Sequence, residues 1–118
     1  MKKIISVLLL SAFLVSTSAF AQKKIEEIRI KTSAQCEMCK TRIETAMAYE
    51  KGVVKSNLDL ETKDLIVTFK TSKTSPENIR KALNELGYDA DETTANPIAY
   101  EKLPPCCKKP GDPSHVGH

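Results

Sequence analysis

The order of apolar patterns along the middle of the chain is what most restricts its fold. Some segments alternate apolar and polar residues or are rich in β-branched and aromatic residues, as strands are. Others have apolar residues at helical spacing. In chain order, the pattern predicts a strand at 25–32, a helix at 39–50, strands at 53–60 and 65–70, a helix at 76–86, and a short polar strand at 88–94.

The second predicted helix has the clearest boundaries. Ser75 is a good N-cap, Pro76 fits the first helical position, and Gly87 can end the helix. A strand, helix, strand, strand, helix, strand order predicts an α+β, ferredoxin-like βαββαβ fold: a four-stranded antiparallel sheet with both helices on one face. Met47 and Ile79 then belong to the core.

The first 21 residues predict a secretory signal peptide. Lys2 and Lys3 precede an apolar stretch that ends in the small-x-small sequence of residues 19–21. That stretch is shorter than the roughly 20 residues of a membrane-spanning helix, which disfavours the alternative of an N-terminal anchor. We expect cleavage after Ala21 and a mature chain from Gln22 that is periplasmic or secreted, without a stable membrane anchor.

The rest of the chain predicts one small domain and a tail, with boundaries at 22–95 and 96–118. Without the two leader lysines, the remaining basic residues nearly balance the 15 acidic residues. No basic stripe for nucleic acid is present. Cys36 and Cys39 share one turn, and Cys106 and Cys107 are adjacent, so neither pair joins distant parts of a core.

Cys36 and Cys39 lie between the first predicted strand and the first predicted helix. Two thiolates in one turn can bind a soft metal ion, or the pair can form a disulfide. The helix N-terminus favours thiolate, and Lys40 adds a positive charge. An exposed two-sulfur loop suits Cu(I) or Hg(II), with Zn(II) or Cd(II) next. Glu37 is expected to be a solvated acid, and Met38 an exposed or loop-packing side chain.

The sequence around these cysteines has further parts of a known pattern. They are the Cys-x-x-Cys at 36–39, Ile-Glu-Thr-Ala-Met at 43–47, Gly-Val at 52–53 and Leu-Asn-Glu-Leu-Gly-Tyr at 83–88. Over residues 24–94 the chain resembles the heavy-metal-associated (HMA) domain family, which includes periplasmic mercury-binding proteins and small copper chaperones. The resemblance implies metal capture and ligand-exchange transfer, with a partner such as a membrane metal transporter, and no catalysis. We expect a monomer.

Some positions near the motif differ from the usual family pattern or have two interpretations. Relatives commonly have Gly-Met-Thr before the first cysteine, where this chain has Ser33, Ala34 and Gln35. The family methionine supports the loop, so Ala34 predicts looser packing there. Tyr88 occupies a position where many bacterial relatives have a tyrosine beside the metal loop. It would either shield the ion or simply pack against the second helix.

Residues 96–118 contain several prolines and predict a flexible tail without regular structure. The tail includes four candidate accessory metal ligands: Cys106, Cys107, His115 and His118. They could fold back to complete a coordination shell or form a separate low-affinity site. Alternatively, the tail cysteines pair between molecules or oxidise.

The main alternative function is thiol–disulfide exchange by Cys36 and Cys39. Redox domains of the thioredoxin type have a different element order and a longer chain, which disfavours it. A purely structural, oxidised pair is a third interpretation. RNA binding is disfavoured because the third predicted strand lacks an aromatic stacking signature. The predicted folded region contains no histidine, so we do not expect an enzyme.

Overall fold

The computed structural model describes residues 24–116 of the 118-residue chain. The predicted signal peptide, its cleavage site and His118 lie outside this range. The elements are β1 (Ile25–Lys31), α1 (Glu37–Tyr49), β2 (Val53–Leu58), β3 (Asp64–Lys70), α2 (Pro76–Leu86), α3 (Pro97–Glu101) and a 3₁₀ turn at Pro105–Cys107. Within residues 24–116, none of the helices has both the length and the apolar character that crossing a membrane requires.

The sheet is antiparallel, with strand order β1-β3-β2, so β3 pairs on both of its edges. Leu65, Val67 and Phe69 of β3 are buried, whereas the residues between them are only half-buried. This alternation places one face of the sheet against the core. Leu65 is opposite Ile30 of β1 and Leu58 of β2, and both of these side chains are also buried.

The two long helices contribute to the same core as the buried face of β3. Ile43 and Met47 of α1 are buried one turn apart, and Ile79 and Leu83 of α2 repeat this spacing. The predicted α+β fold and the assignment of the helix stripes to the core are therefore confirmed. Burial of this apolar face is what stabilises helices as short as these.

The predicted boundaries of α2 are confirmed in detail. The Ser75 side chain accepts a hydrogen bond from the Asn78 N–H at 3.2 Å, and Pro76 occupies the first helical position. Gly87 ends the helix with φ +112°, in the left-handed region that glycine adopts without a steric penalty.

Loss of this N-cap should measurably destabilise the protein. Ser75→Ala leaves a backbone N–H of the first turn without its partner, so we expect the free energy of unfolding to fall by about 1 kcal/mol. Urea denaturation followed by circular dichroism measures this change. Ser75→Asp is the matched control because it retains an acceptor, and it should remain close to the parent. Equal stabilities of Ser75→Ala and the parent would contradict the assigned cap.

The prediction of a fourth strand is wrong, because the described residues form three strands. In place of a strand at 88–94, Ala90 makes one antiparallel bridge to Thr32, and the chain then turns back on itself at Thr93. Asp91, with φ +52°, donates its N–H to the Lys31 carbonyl at 2.8 Å and accepts the Lys31 N–H on its carboxylate at 2.9 Å. These two hydrogen bonds satisfy the N–H and carbonyl groups of Lys31 at the end of β1, and the chain then turns away from the sheet.

The expected absence of regular structure after residue 95 is also wrong, because residues 97–107 include α3 and the 3₁₀ turn. Asn96 caps α3 by accepting hydrogen bonds from the N–H groups of Ile98 and Ala99, and Pro97 occupies the first helical position. Prolines that prevent strands can thus begin short helices. Leu103 is buried in the domain core, which attaches this segment to the rest of the fold.

Candidate metal centre

Cys36 and Cys39 lie where the chain passes from β1 into α1. Cys36 is the N-cap residue of α1, with extended backbone geometry, and Cys39 lies in the first turn, so the two sulfurs are 3.4 Å apart. Cys36 is only 9% exposed and Cys39 is fully buried. The prediction that the sulfurs are exposed is therefore wrong. Glu37 and Met38 between them are exposed, which agrees with the expectation for Glu37 and with one of the two roles expected for Met38.

A lysine from the β2–β3 turn fixes the loop that precedes the cysteines. Lys63 Nζ donates to the Ala34 carbonyl at 3.0 Å and to Gln35 Oε1 at 3.1 Å. Thr32 Oγ1 donates to the Lys63 carbonyl and accepts the Ala34 N–H. Ala34 is fully buried, and the looser packing expected there stays a prediction. The role of Lys63 depends on a long-range contact that no sequence motif indicates.

The expected contribution of Lys40 is not what the structure shows. Its ammonium donates to Glu44 Oε2 at 2.7 Å, to the Leu58 carbonyl at 2.8 Å and to Asn57 Oδ1 at 3.2 Å. Lys40 therefore links α1 to β2. The positive end of the α1 dipole remains as the local feature that favours thiolate at the start of this helix.

The 3₁₀ turn of the tail brings two further sulfurs to the same place. Cys36 Sγ is 3.1 Å from Cys106 Sγ and 3.6 Å from Cys107 Sγ, and these three sulfurs all lie within 4.8 Å of one another. Cys107 is buried and Cys106 is half-buried, and all four thiols are free. Because Cys39 is also 3.4 Å from Cys36, Cys36 is close to each of the other three cysteines. Three thiolates at these distances could hold a soft metal ion.

The candidate histidine ligands do not join this sulfur group in the described part of the chain. His115 Nδ1 lies 2.6 Å from the Lys108 carbonyl and can donate a hydrogen bond to it, in which case the proton is on Nδ1. His115 therefore helps to order the tail. His118 lies beyond the last described residue.

Tyr88 packs directly beside the sulfurs. Its side chain is fully buried, and its hydroxyl makes no hydrogen bond of good geometry to any described residue. The pKa of Tyr88 is raised, first by burial and then by the adjacent thiols of Cys39 and Cys107. The pKa of Cys107 is likewise raised, mainly by burial and by the Cys39 thiol. Metal binding at Cys107 would therefore have to displace a firmly held proton.

Removal of the Tyr88 hydroxyl should cost little stability. Tyr88→Phe keeps the aromatic ring and removes a buried polar group that has no partner, so we expect the free energy of unfolding to stay within about 1 kcal/mol of the parent or to rise. Chemical denaturation of the metal-free, reduced protein measures this. Tyr88→Ala is the contrasting variant and should lose about 3 kcal/mol or more through its cavity. A large loss in Tyr88→Phe would reveal a hydrogen bond that the structure lacks.

The tail is ordered around the Tyr100 ring. Lys108 Nζ lies 4.5 Å from the ring centroid, and the Tyr100 hydroxyl donates to Asp112 Oδ2 at 2.6 Å. The same hydroxyl accepts the Lys109 N–H at 2.9 Å. Hydrogen bonds from Ser114, and then from Tyr100, lower the pKa of Asp112 to about 2, so this carboxylate remains charged at ordinary pH.

Several contacts attach the ordered tail to the domain. Lys109 Nζ pairs with Asp89 Oδ2 at 2.6 Å. Next to it, Leu103 and the Ala99 carbonyl fill the space beside Gly87, where an added Cβ would be 3.0–3.1 Å from their atoms. The 3₁₀ turn itself contacts α1. Cys106 and Cys107 are thus held against the loop by contacts other than those between sulfurs.

Comparison with known proteins gives the wider context of this site. The model of the heavy-metal-associated domain matches residues 32–89, a range that includes Cys36, Cys39 and Tyr88 and ends before the tail cysteines. The mercuric transport protein periplasmic component of Pseudomonas fluorescens is 32% identical over 88 residues, which are 75% of this chain and 93% of that protein. The copper chaperone CopZ of Staphylococcus epidermidis is 35% identical over 54 residues, which are 46% of this chain and 79% of the chaperone.

Solved structures agree with the sequence comparisons. The crystal structure of oxidised MerP from Ralstonia metallidurans CH34 aligns with a TM-score of 0.54 and 26% identity, over 57% of this chain and 94% of that chain. The ferredoxin-like fold is shared with these neighbours, and the relatives carry names of metal transport components and chaperones. The chain belongs to the heavy-metal-associated domain family of metal-binding proteins.

Proposed function

We propose that this protein captures a soft metal ion, Cu(I) or Hg(II), through the thiolates of Cys36 and Cys39 and passes it on by ligand exchange. The observation that carries the proposal is the pair of sulfurs 3.4 Å apart at the N-terminus of α1. Soft thiolates prefer soft ions, and the free N–H groups of the first helical turn stabilise their negative charge. Zn(II) and Cd(II) are the next candidates.

The proposed chemistry involves no change of oxidation state. Each thiol loses its proton as its sulfur binds the ion. Transfer begins when a thiolate of the partner forms a bond to the ion, and it proceeds as one sulfur of this chain leaves and takes up a proton. Tyr88, buried against Cys39, would exclude water from the ion on the side of the core.

The proposed setting is outside the cytoplasm, and the proposed partner is a membrane metal transporter. Support comes from the leader-like sequence of the first 21 residues and from the relative in Pseudomonas fluorescens, which is named a periplasmic component of mercuric transport. A copper-exporting P-type ATPase of Staphylococcus epidermidis is 26% identical over 73 residues, so related domains occur within such transporters. A partner that presents a matching thiol pair could receive the ion.

Native mass spectrometry of the reduced chain from Gln22 tests this function. Titration with Cu(I), Hg(II) and Zn(II) should give one tightly bound soft ion per chain, and the double variant Cys36→Ser/Cys39→Ser should lose it. His115→Ala is the matched control, because it removes a candidate ligand away from the sulfurs and should bind like the parent. Undiminished binding by the double cysteine variant would overturn the proposal.

Thiol–disulfide exchange is the second candidate function. The observation in its favour is that four free thiols lie together, with Cys36 Sγ and Cys106 Sγ only 3.1 Å apart. A disulfide could form between them if an oxidant accepted two electrons. Reduction of a small disulfide substrate by the metal-free protein, with turnover in the presence of a thiol reductant, would favour this function. The absence of turnover would leave metal binding as the better account.

A further inference from the structure

We propose that Cys106 and Cys107 bind the same ion as Cys36 and Cys39, so that the tail supplies a third and a fourth thiolate from within the chain. The cargo class is then a soft ion that accepts three or four sulfurs. This inference rests on the proposed function for the Cys36–Cys39 pair and adds to it both a coordination number and a way of retaining the ion.

The sulfur distances support this coordination number. With metal–sulfur bonds of about 2.3 Å, a tetrahedral site places its sulfurs about 3.8 Å apart, whereas a linear two-sulfur site separates them by about 4.6 Å. Cys36 Sγ lies 3.1–3.6 Å from each of the other three sulfurs. The sulfurs of Cys36, Cys106 and Cys107 lie within 4.8 Å of one another and therefore need only a small adjustment to surround an ion with three ligands. Cys39, which is 3.4 Å from Cys36 but outside this group of three, would have to move further to become the fourth.

The position of the tail does not depend on the sulfurs alone. The Lys109–Asp89 ion pair and the packing of Leu103 beside Gly87 hold the segments on either side of the 3₁₀ turn. Adjacent cysteines form a strained disulfide, which favours Cys106 and Cys107 as separate ligands. The fold thus places two further thiols beside the loop. Ordering the tail costs entropy, but it avoids the larger entropic cost of binding a second protein that would supply the same ligands.

Charge and burial are consistent with a multi-thiolate site. A divalent ion bound by four thiolates has a net charge of about −2, which a buried site must balance. Lys108 directly follows Cys107, is only 4% exposed and donates to the Tyr100 carbonyl at 2.7 Å. Its ammonium also lies 3.9 Å from Glu101 Oε2, which offsets part of its charge. The positive end of α1, where Cys36 is the N-cap residue, is the feature that directly compensates thiolate charge.

The expected consequence is that the tail retains the ion. With Cys106 and Cys107 bound, a partner's thiolate must replace the tail sulfurs before it can remove the ion from Cys36 and Cys39. Each replacement breaks one metal–sulfur bond and forms another, so the charge and oxidation state of the ion do not change. Release of the tail from α1 would then control how fast the ion leaves.

Cd(II) is a suitable probe, because its NMR resonance and its thiolate charge-transfer absorption both report the number of bound sulfurs. The full-length reduced chain is compared with Cys106→Ser/Cys107→Ser, and Lys102→Ala, a change at an exposed residue of the tail, serves as the matched control. In the parent and the control we expect signals of three or four thiolates. In the double variant we expect those of two, together with at least about tenfold faster release of Cd(II) to a chelator.

Separate outcomes distinguish the two proposals. Unchanged cadmium signals and release rate in Cys106→Ser/Cys107→Ser would overturn the tail as a ligand and leave the proposed function intact. Full Cd(II) binding by Cys36→Ser/Cys39→Ser would overturn the proposed function. The half-buried Cys106→Ser alone, which is the milder change, should also shift the signals. An ion shared between two chains, detected as a dimer in native mass spectrometry, would overturn coordination within one chain.

Discussion

Cys36→Ser is expected to lower the affinity for Cd(II) or Cu(I) by at least about a hundredfold, more than the same change at any other cysteine. Loss of a residue that only supports a ligand typically costs ten- to a hundredfold in metal affinity, and loss of a ligand should cost at least as much. Cys36 is singled out because its sulfur is within 3.6 Å of the other three. The other cysteines lie around it.

The order of the four single serine variants tests this central position. Chelator competition at fixed pH, under reducing conditions, measures each affinity. Cys39→Ser should follow Cys36→Ser, and Cys106→Ser should have the smallest effect because its side chain is only half-buried. Serine is close to cysteine in size, but its hydroxyl is costly to bury without a partner at Cys39 and Cys107, so the stability of each variant is measured beside its affinity. Equal affinities for Cys36→Ser and Cys106→Ser would contradict the central position of Cys36.

Phe69→Ala is expected to lower the free energy of unfolding by about 3–5 kcal/mol, the usual cost of a large cavity in a well-packed core. Phe69 lies on the central strand, where it is opposite Glu26 of β1 and Val53 of β2, and its side chain is 1% exposed. Because small domains are stable by only about 5–15 kcal/mol, this one change would remove a large part of the total.

Urea denaturation of the reduced, metal-free protein measures the effect of Phe69→Ala. Lys70→Ala, at the exposed end of the same strand, is the matched control and should stay within about 0.5 kcal/mol of the parent. A loss below about 1 kcal/mol in Phe69→Ala would mean that the side chain is not in the core. Metal binding to the variant would still raise its denaturation midpoint, because only the folded loop holds the sulfurs together.

The sequence predicted those parts of the fold that are determined by local chemistry. Ser75 and Gly87 bound α2 through contacts with near neighbours, so the residue types alone were sufficient to find both ends. The core stripes of both long helices followed from spacing in the same way. The position of Cys36 and Cys39 between β1 and α1 was predictable because it depends on the order of elements and not on distant contacts.

The errors arose where tertiary contacts decide between local alternatives. Asn96 and Pro97 indicate a break in structure, but the same pair also starts a helix, and the burial of Leu103 favours the helix. The Lys40 ammonium donates to Glu44, one helical turn away, so it does not act as the positive charge that was predicted beside the cysteines. The grouping of the tail cysteines with Cys36 depends on contacts across about 70 residues of chain, which no local pattern could specify.

The turn at Asp91 has a consequence for self-association. Because the chain leaves the sheet after one bridge, the outer edge of β1 has no neighbouring strand within residues 24–116. An open edge of this kind can recruit a strand from another molecule. Glu26, Glu27, Arg29 and Lys31 place charges along this strand, and charged side chains on an edge oppose such pairing. A longer last strand would have covered this edge of β1. In its absence, the charged side chains of β1 protect the edge against aggregation.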